Sequence, residues 1–175
     1  MPNTSSGVRV VVLRHGPAEV RDPARWPDDR LRPLSAKGAR QSRRVARGLA
    51  HLLRPVSLLA TSPATRARRT ANIVGRTLDP PRRATVWPEL DVGTLAAPIL
   101  ARVRREAGTH AEVVLVGHEP TLAELVGLAL TGDGAPLLHL SKGGAACLEF
   151  PTAVRPGSAR LLWLLTRKQL AGAAG

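Results

Sequence analysis

Short apolar runs that alternate with amphipathic segments constrain this chain more than any other feature. Val8 to Leu13 is an apolar, β-branched run that suits a buried strand. Gly16 to Pro33 is polar and rich in proline, which predicts a loop. Ser35 then stands as the N-cap of a helix running to about Leu53, with Val45, Leu49, Leu52 and Leu53 along one face. Val56 to Ala60 reads as a second strand, Thr65 to Leu78 as a helix, and Thr85 to Trp87 as a short third strand. Pro98 to Ala107 reads as a helix and Glu112 to Val116 as another buried strand. Thr121 and Glu124 form a capping-box pattern that starts a further helix. Ala145 to Phe150 and Ala159 to Leu165 read as two closing strands. Strands alternating with helices predict an α/β layered domain with a largely parallel sheet. The 175 residues fit one such domain around a single hydrophobic core.

Sheets of this kind bind ligands beyond the carboxyl ends of their strands. Arg14-His15 ends the first strand, and Gly117-His118 ends the strand from Glu112. Phosphoryl transfer through a histidine needs a neutral imidazole nitrogen to attack phosphorus. It also needs fixed cations for the phosphoryl oxygens. Arginine binds two oxygens with its planar fork and stays charged. A neighbouring arginine also disfavours protonation of the histidine. Arg14 beside His15 at a strand end supplies both parts.

The charge balance is strongly basic, at +13, and all but three of the 26 basic residues are arginine. Such a balance attracts anionic partners, phosphorylated ones included. Its blander source is an arginine-biased composition with a solvated basic surface. Nucleic acid is the weaker partner, because there is no tyrosine and one phenylalanine to stack on bases. The basic residues read as scattered rather than gathered in a tail. No run is apolar enough over about 20 residues to span a bilayer. Met1 to Gly7 lacks the basic-then-apolar pattern of a signal peptide, which leads to a cytoplasmic expectation. Cys147 is a single cysteine and forms no internal disulfide.

Three further segments join Leu13-Arg14-His15-Gly16. Arg32-Pro33-Leu34-Ser35, with Gly38, leads into the first helix. Ser62-Pro63-Ala64-Thr65-Arg66 follows the second strand, and Gly117-His118-Glu119-Pro120 follows the Glu112 strand. In order and spacing these resemble the histidine phosphatase, or phosphoglycerate mutase-like, superfamily, from about Val8 to Lys168. The short length and the Lys142-Gly143-Gly144 segment look most like the small bacterial phosphohistidine phosphatases.

The resemblance implies a three-layer α/β/α sandwich with a mostly parallel central sheet. It implies His15 as nucleophile, with Arg14, Arg66 and His118 completing the phosphate pocket. Glu89 occupies the place of a proton donor in many members, and Asp91 is the alternative. Glu89 is the expected catalytic donor, although a phosphoramidate whose nitrogen is protonated leaves readily without a strong protein acid. Arg68 and Arg69 do not match the motif and read as surface charge. The activity implied is a two-step phosphatase without metal or other cofactor, its arginines compensating charge. Its partner is a phosphorylated protein, first of all one carrying phosphohistidine, or else a small phosphorylated metabolite such as a sugar phosphate or nucleotide. A non-catalytic phosphate- or nucleic-acid-binding protein would not need the nucleophile. His51, His110 and His139 lack metal-ligand spacing, and Trp26, Trp87 and Trp163 read as packing or rim residues.

Overall fold

A computed structural model describes residues 7–108 and 111–173, and alternate side chains of its first strand enter two different cores. In β1 (Val8–Arg14), Val10 and Val12 face one core while Val11 and Leu13 face the other. β4 (Glu112–Gly117) divides in the same way, with Val113 and Leu115 opposite Val114 and Val116. This is the two-residue period of an extended chain, buried on both faces as a central parallel strand requires. Helices therefore cover both sides. α1 (Ala36–Leu52) and α2 (Thr65–Leu78) bring Val45, Leu49, Ala71 and Val74 to one core. α3 (Ala96–Glu106) and α4 (Thr121–Thr131) bring Ile99, Val103, Leu125 and Val126 to the other. The architecture is the three-layer α/β/α sandwich that the resemblance implied.

The remaining strands are β2 (Leu58–Thr61), β3 (Thr85–Val86), β5 (Ala145–Phe150) and β6 (Arg160–Leu165). The sheet order is β3-β2-β4-β1-β5-β6. β3, β2, β4 and β1 are parallel, and β5 runs antiparallel to both β1 and β6. β1, β4 and β2 are therefore adjacent, and their carboxyl ends form one edge.

Three local expectations need correction. α3 begins at Ala96, two residues ahead of Pro98, because the first-turn N–H that proline lacks has no helical acceptor anyway. α4 has Pro120 as its N-cap and no side-chain cap. Thr121 Oγ1 instead donates to the Thr94 carbonyl at 3.0 Å, and Glu119 Oε2 accepts from the Ala123 N–H at 3.1 Å. The chain also ends in an unexpected helix, α5 (Arg167–Gly172), opened by a true capping box between Thr166 and Gln169. Its Leu170 is fully buried against α1, where a Cβ on Gly48 would strike the Leu170 carbonyl.

The basic residues are spread along the chain, but the net charge is not. Residues 30–78 contain twelve Arg and Lys and no Asp or Glu, so they carry +12 of the chain's +13. That stretch makes α1, β2 and α2. No helix among the described residues is long and apolar enough to cross a membrane.

Candidate active site

Three chemistry-bearing junctions meet at the carboxyl edge of the sheet. Arg14 pairs with Gly117 across β1 and β4, so His15 and His118 each stand one residue past the ladder. The His15 N–H donates to the Gly117 carbonyl at 3.1 Å, and the Ser62 N–H donates to the Val116 carbonyl at 2.9 Å. The Ser62 and His118 junctions lead within a few residues into α2 and α4, so the amino ends of those helices face the same space. Helix amino ends favour anions.

His15 and His118 are buried, with ring centroids 5.0 Å apart. His15 Nδ1 lies 2.7 Å from the Gly16 carbonyl oxygen. Arg66 Nε–H donates to His15 Nε2 at 3.3 Å. A carbonyl only accepts and a guanidinium only donates. The ring therefore carries its proton on Nδ1 and presents a lone pair at Nε2. Burial, then the facing His118 and the charges of Arg66 and Arg14, push the His15 pKa down to about 3, against the opposing Gly16 hydrogen bond. Burial, then Arg66 and Arg14, push His118 down to about 3 as well. Both rings are neutral at ordinary pH. His118 Nε2 is hydrogen-bonded to Ser62 Oγ at 2.8 Å, which fixes its orientation.

Arg66 is in the first turn of α2 and is buried. Asp29 holds it twice, through its carbonyl at 2.7 Å and its carboxylate at 3.1 Å. Burial lowers the Arg66 pKa from the usual guanidinium range, against the pull of Asp29. Thr70 Oγ1 donates to the Arg66 carbonyl at 2.8 Å and accepts from the Gly16 N–H at 3.1 Å, tying α2 to the His15 turn. A Cβ on Gly16 would stand 2.5 Å from Ser42 Oγ, so that hydroxyl would have to turn away. Arg14 donates to the Leu140 carbonyl at 2.7 Å, and its buried Nε has no partner among the described residues. Glu119 Oε1, which accepts from the Leu140 N–H at 2.6 Å, braces that loop. Gly143, at φ +76°, turns its N–H onto the Arg14 and His15 carbonyls, each at 3.1 Å. A side chain is strained at that φ, which accounts for the glycine after Lys142.

The structure thus gathers His15, Arg14, Arg66 and His118. No hydrogen bond or ion pair among the described residues joins Glu89 to them. Glu89 is paired to Arg102 at 2.8 Å. Burial pushes its carboxyl up, but its own backbone N–H and Arg102 outweigh this and leave it below the usual range. Asp91 caps the Val92 N–H at 2.8 Å and lies 3.9 Å from Arg30. Asp29 and Ser62 were not singled out by the sequence. Ser62 opens the segment that carries Arg66, so position alone could have marked it. Asp29 lies in a polar loop far from Arg66 in sequence, and nothing local betrays the pairing. His139 is exposed, 3.5 Å from Arg14 Nη1, and His110 lies outside the described residues. Among the described residues no group of three or more His, Cys, Asp or Glu could hold a metal ion. Burial pushes the Cys147 thiol up to about 12, so it is unreactive.

Comparisons with known proteins agree with this fold. The model of the histidine phosphatase superfamily (branch 1) matches residues 10–96. Phosphohistidine phosphatase SixA of Escherichia coli is 31% identical over 146 residues, 81% of this chain and 86% of that protein. A solved structure of the protein histidine phosphatase SixA complexed with tungstate superposes with a TM-score of 0.78 at 26% identity, covering 93% of this chain and 99% of that one. A phosphoserine phosphatase from Entamoeba histolytica, in complex with 3-phosphoglyceric acid, shares the fold, with a TM-score of 0.67 at 14% identity over 93% of this chain and 99% of that one. With so much of each partner covered, and with the matched residues running through β1, α1, β2 and α2, this chain belongs to the histidine phosphatase superfamily and is a phosphatase.

Proposed function

We propose that the chain hydrolyses phosphohistidine on a protein, through a covalent phosphohistidine of its own on His15. The observation that carries this is the state of the His15 ring: neutral, with its proton donated to Gly16 and its Nε2 lone pair facing Arg66. In the first step Nε2 attacks phosphorus. The bond from phosphorus to the leaving nitrogen breaks, and the substrate imidazole, already protonated on its other ring nitrogen, leaves as a neutral ring with that electron pair. In the second step water attacks phosphorus and the bond to Nε2 breaks. Phosphate leaves and the neutral ring returns. Arg66, Arg14 and His118 hold the phosphoryl oxygens, with Arg66 turning its Nε–H from His15 to an oxygen. Preorganised donors of this kind stabilise charge better than water because they need no reorientation. The arginines supply the positive charge, so the proposal needs no metal.

Two observations support phosphohistidine as the substrate. The relative of 31% identity is a phosphohistidine phosphatase. Glu89 is an ionised carboxylate engaged by Arg102, which suits a leaving nitrogen better than an alkoxide that needs a strong acid. The phosphoserine phosphatase fold relative keeps a small phosphomonoester as the competing reading.

Hydrolysis of an aryl phosphate with chelator present, compared with His15→Ala, tests the mechanism. Wild-type turnover with chelator, lost in the variant, is the expected result; equal rates overturn it. The substrate follows from kcat/KM for a phosphohistidine protein against a panel of sugar phosphates, nucleotides and phosphoserine. Metabolites winning by orders of magnitude overturn the phosphohistidine assignment.

A further inference from the structure

A groove in two parts follows α2, one part on either side of its Asn72 and Arg76 edge. Its upper part, about 510 Å³, lies between α1 and α2 and the segment before α1, with Leu34, Ala39 and Ile73 among its lining residues and Arg43 and Arg69 beside them. Its lower part, about 400 Å³, is lined by Arg82, Arg83 and Pro80 beyond the helix. Asn72 and Arg76 line both parts, so the two adjoin along that edge of the helix. From Arg69 to Asp79 the helix rises about 15 Å. Arg43, Arg69, Arg76, Arg82 and Arg83 are exposed. None of the five is in an ion pair among the described residues. The nearest acids are Glu19 at the top and Asp79 at the bottom.

The top of the groove shares its wall with the active site. Leu34 packs beside Gly16, and the Ser35 N–H donates to the Pro17 carbonyl at 3.0 Å. Arg69 is one helical turn below Arg66. A chain that leaves the His15 pocket over this wall enters the groove directly.

We propose that this groove docks an acidic segment of the phosphorylated protein substrate, which rests on the phosphohistidine reading of the site. Charge complementarity chooses the occupant: five cations without acidic partners over an apolar floor fit a short run of Asp and Glu interleaved with apolar residues. Nucleic acid fits less well. No aromatic side chain lines the groove for base stacking. A phosphate backbone would also run on past Glu19 and Asp79, which repel it at both ends. A peptide segment ends where its acidic run ends.

The test uses two phosphohistidine peptides of about 20 residues, identical except for an acidic run or a Ser/Gly run beginning roughly five residues from the phosphohistidine, enough to span about 15 Å when extended. At low salt the wild-type protein should favour the acidic peptide by ~10-fold or more in kcat/KM, carried by KM, and lose the preference as salt is raised. The double variant R69E/R76E should treat both peptides alike within ~2-fold, while R104E/R105E on α3 should keep the preference. Aryl phosphate turnover, read alongside, reports the integrity of each variant. Equal kcat/KM for the two peptides in the wild type overturns the proposal. So does tighter binding of a single-stranded oligonucleotide than of the unphosphorylated acidic peptide in a direct titration. If neither phosphohistidine peptide is hydrolysed, the substrate reading fails. The titration then decides the groove alone: binding lost in R69E/R76E upholds it, and no binding overturns it.

Discussion

The two helical layers meet the sheet alike and face solvent differently. α1 and α2 belong to residues 30–78, which hold twelve basic residues and no acid. Residues 96–131, which include α3 and α4, hold three arginines and four glutamates. Yet both layers press the same kind of aliphatic surface on the strands. Packing constrains the inward face of each helix and leaves the outward face free for long-range electrostatics. The asymmetry reaches the active site as well. Arg66 comes from α2, whereas Arg102 of α3 is spent on Glu89 and Glu106 and lies over the Trp87 ring.

Substitutions can break or sharpen that contrast. The largest effect is expected at the seam between the layers: His15→Ala should lower aryl phosphate kcat by roughly 10³-fold or more, and a residual rate within tenfold of wild type would break the assignment of the nucleophile. Next comes Arg66→Ala, with a kcat/KM loss of about 10²-fold, against a change within ~3-fold for Arg102→Ala. Equal losses would erase the functional difference between the layers. Asp29→Asn weakens the anchor that Arg66 shares with Arg32. It should cost roughly tenfold in kcat/KM, with Arg66→Ala adding far less on top of it than alone, since the two act as a unit.

pH reads the seam by stability instead. Both buried histidines are held at about 3 in the folded chain, far below the unfolded value of about 6.5. The unfolded state takes up protons that the native state refuses. Stability is therefore complete above about pH 6.5 and declines as pH falls towards 3, by up to ~1.4 kcal/mol per pH unit for each ring. Urea unfolding at pH 7 and pH 5 should show the slope, and His118→Gln should flatten it by the share of one ring. The smallest effect is expected at Glu89→Gln, within ~3-fold in the hydrolysis of phosphohistidine. A loss of two orders of magnitude would restore Glu89 as the proton donor.

Much of this molecule was legible in its residues, for identifiable reasons. The β1 and β4 runs are apolar on both faces, and only a central parallel strand uses such a run. The helix from Thr65 to Leu78 was read at its observed bounds because the strand turn and left-handed Asp79 punctuate it. Arg14, His15 and His118 sit at strand ends, and Arg66 opens the helix after one, where the topology concentrates them. Failures came where tertiary contacts outbid local patterns. Thr121 looked like a cap and donates across to Thr94 instead. α5 was missed although Thr166-Arg167-Lys168-Gln169 carries the capping-box signature. The acid-free stretch 30–78 was also open to counting, but its meaning appears only when α1 and α2 lie side by side. Asp29 had no local sign, because its role depends on an arginine brought to it by the fold.

The hydrogen bond from His15 Nδ1 ends on the main chain of the next residue. Every side chain at position 16 comes with a carbonyl, so no single codon change deletes that acceptor. A mutational scan of this protein would find the ring and the arginines and remain blind to the group that sets where the ring's proton sits. Displacement is the way to reach it: Gly16→Ala would press a methyl on Ser42 Oγ in the turn that holds the carbonyl, while Arg66 still donates to Nε2. Two groups hold the tautomer, and only one of them is a side chain.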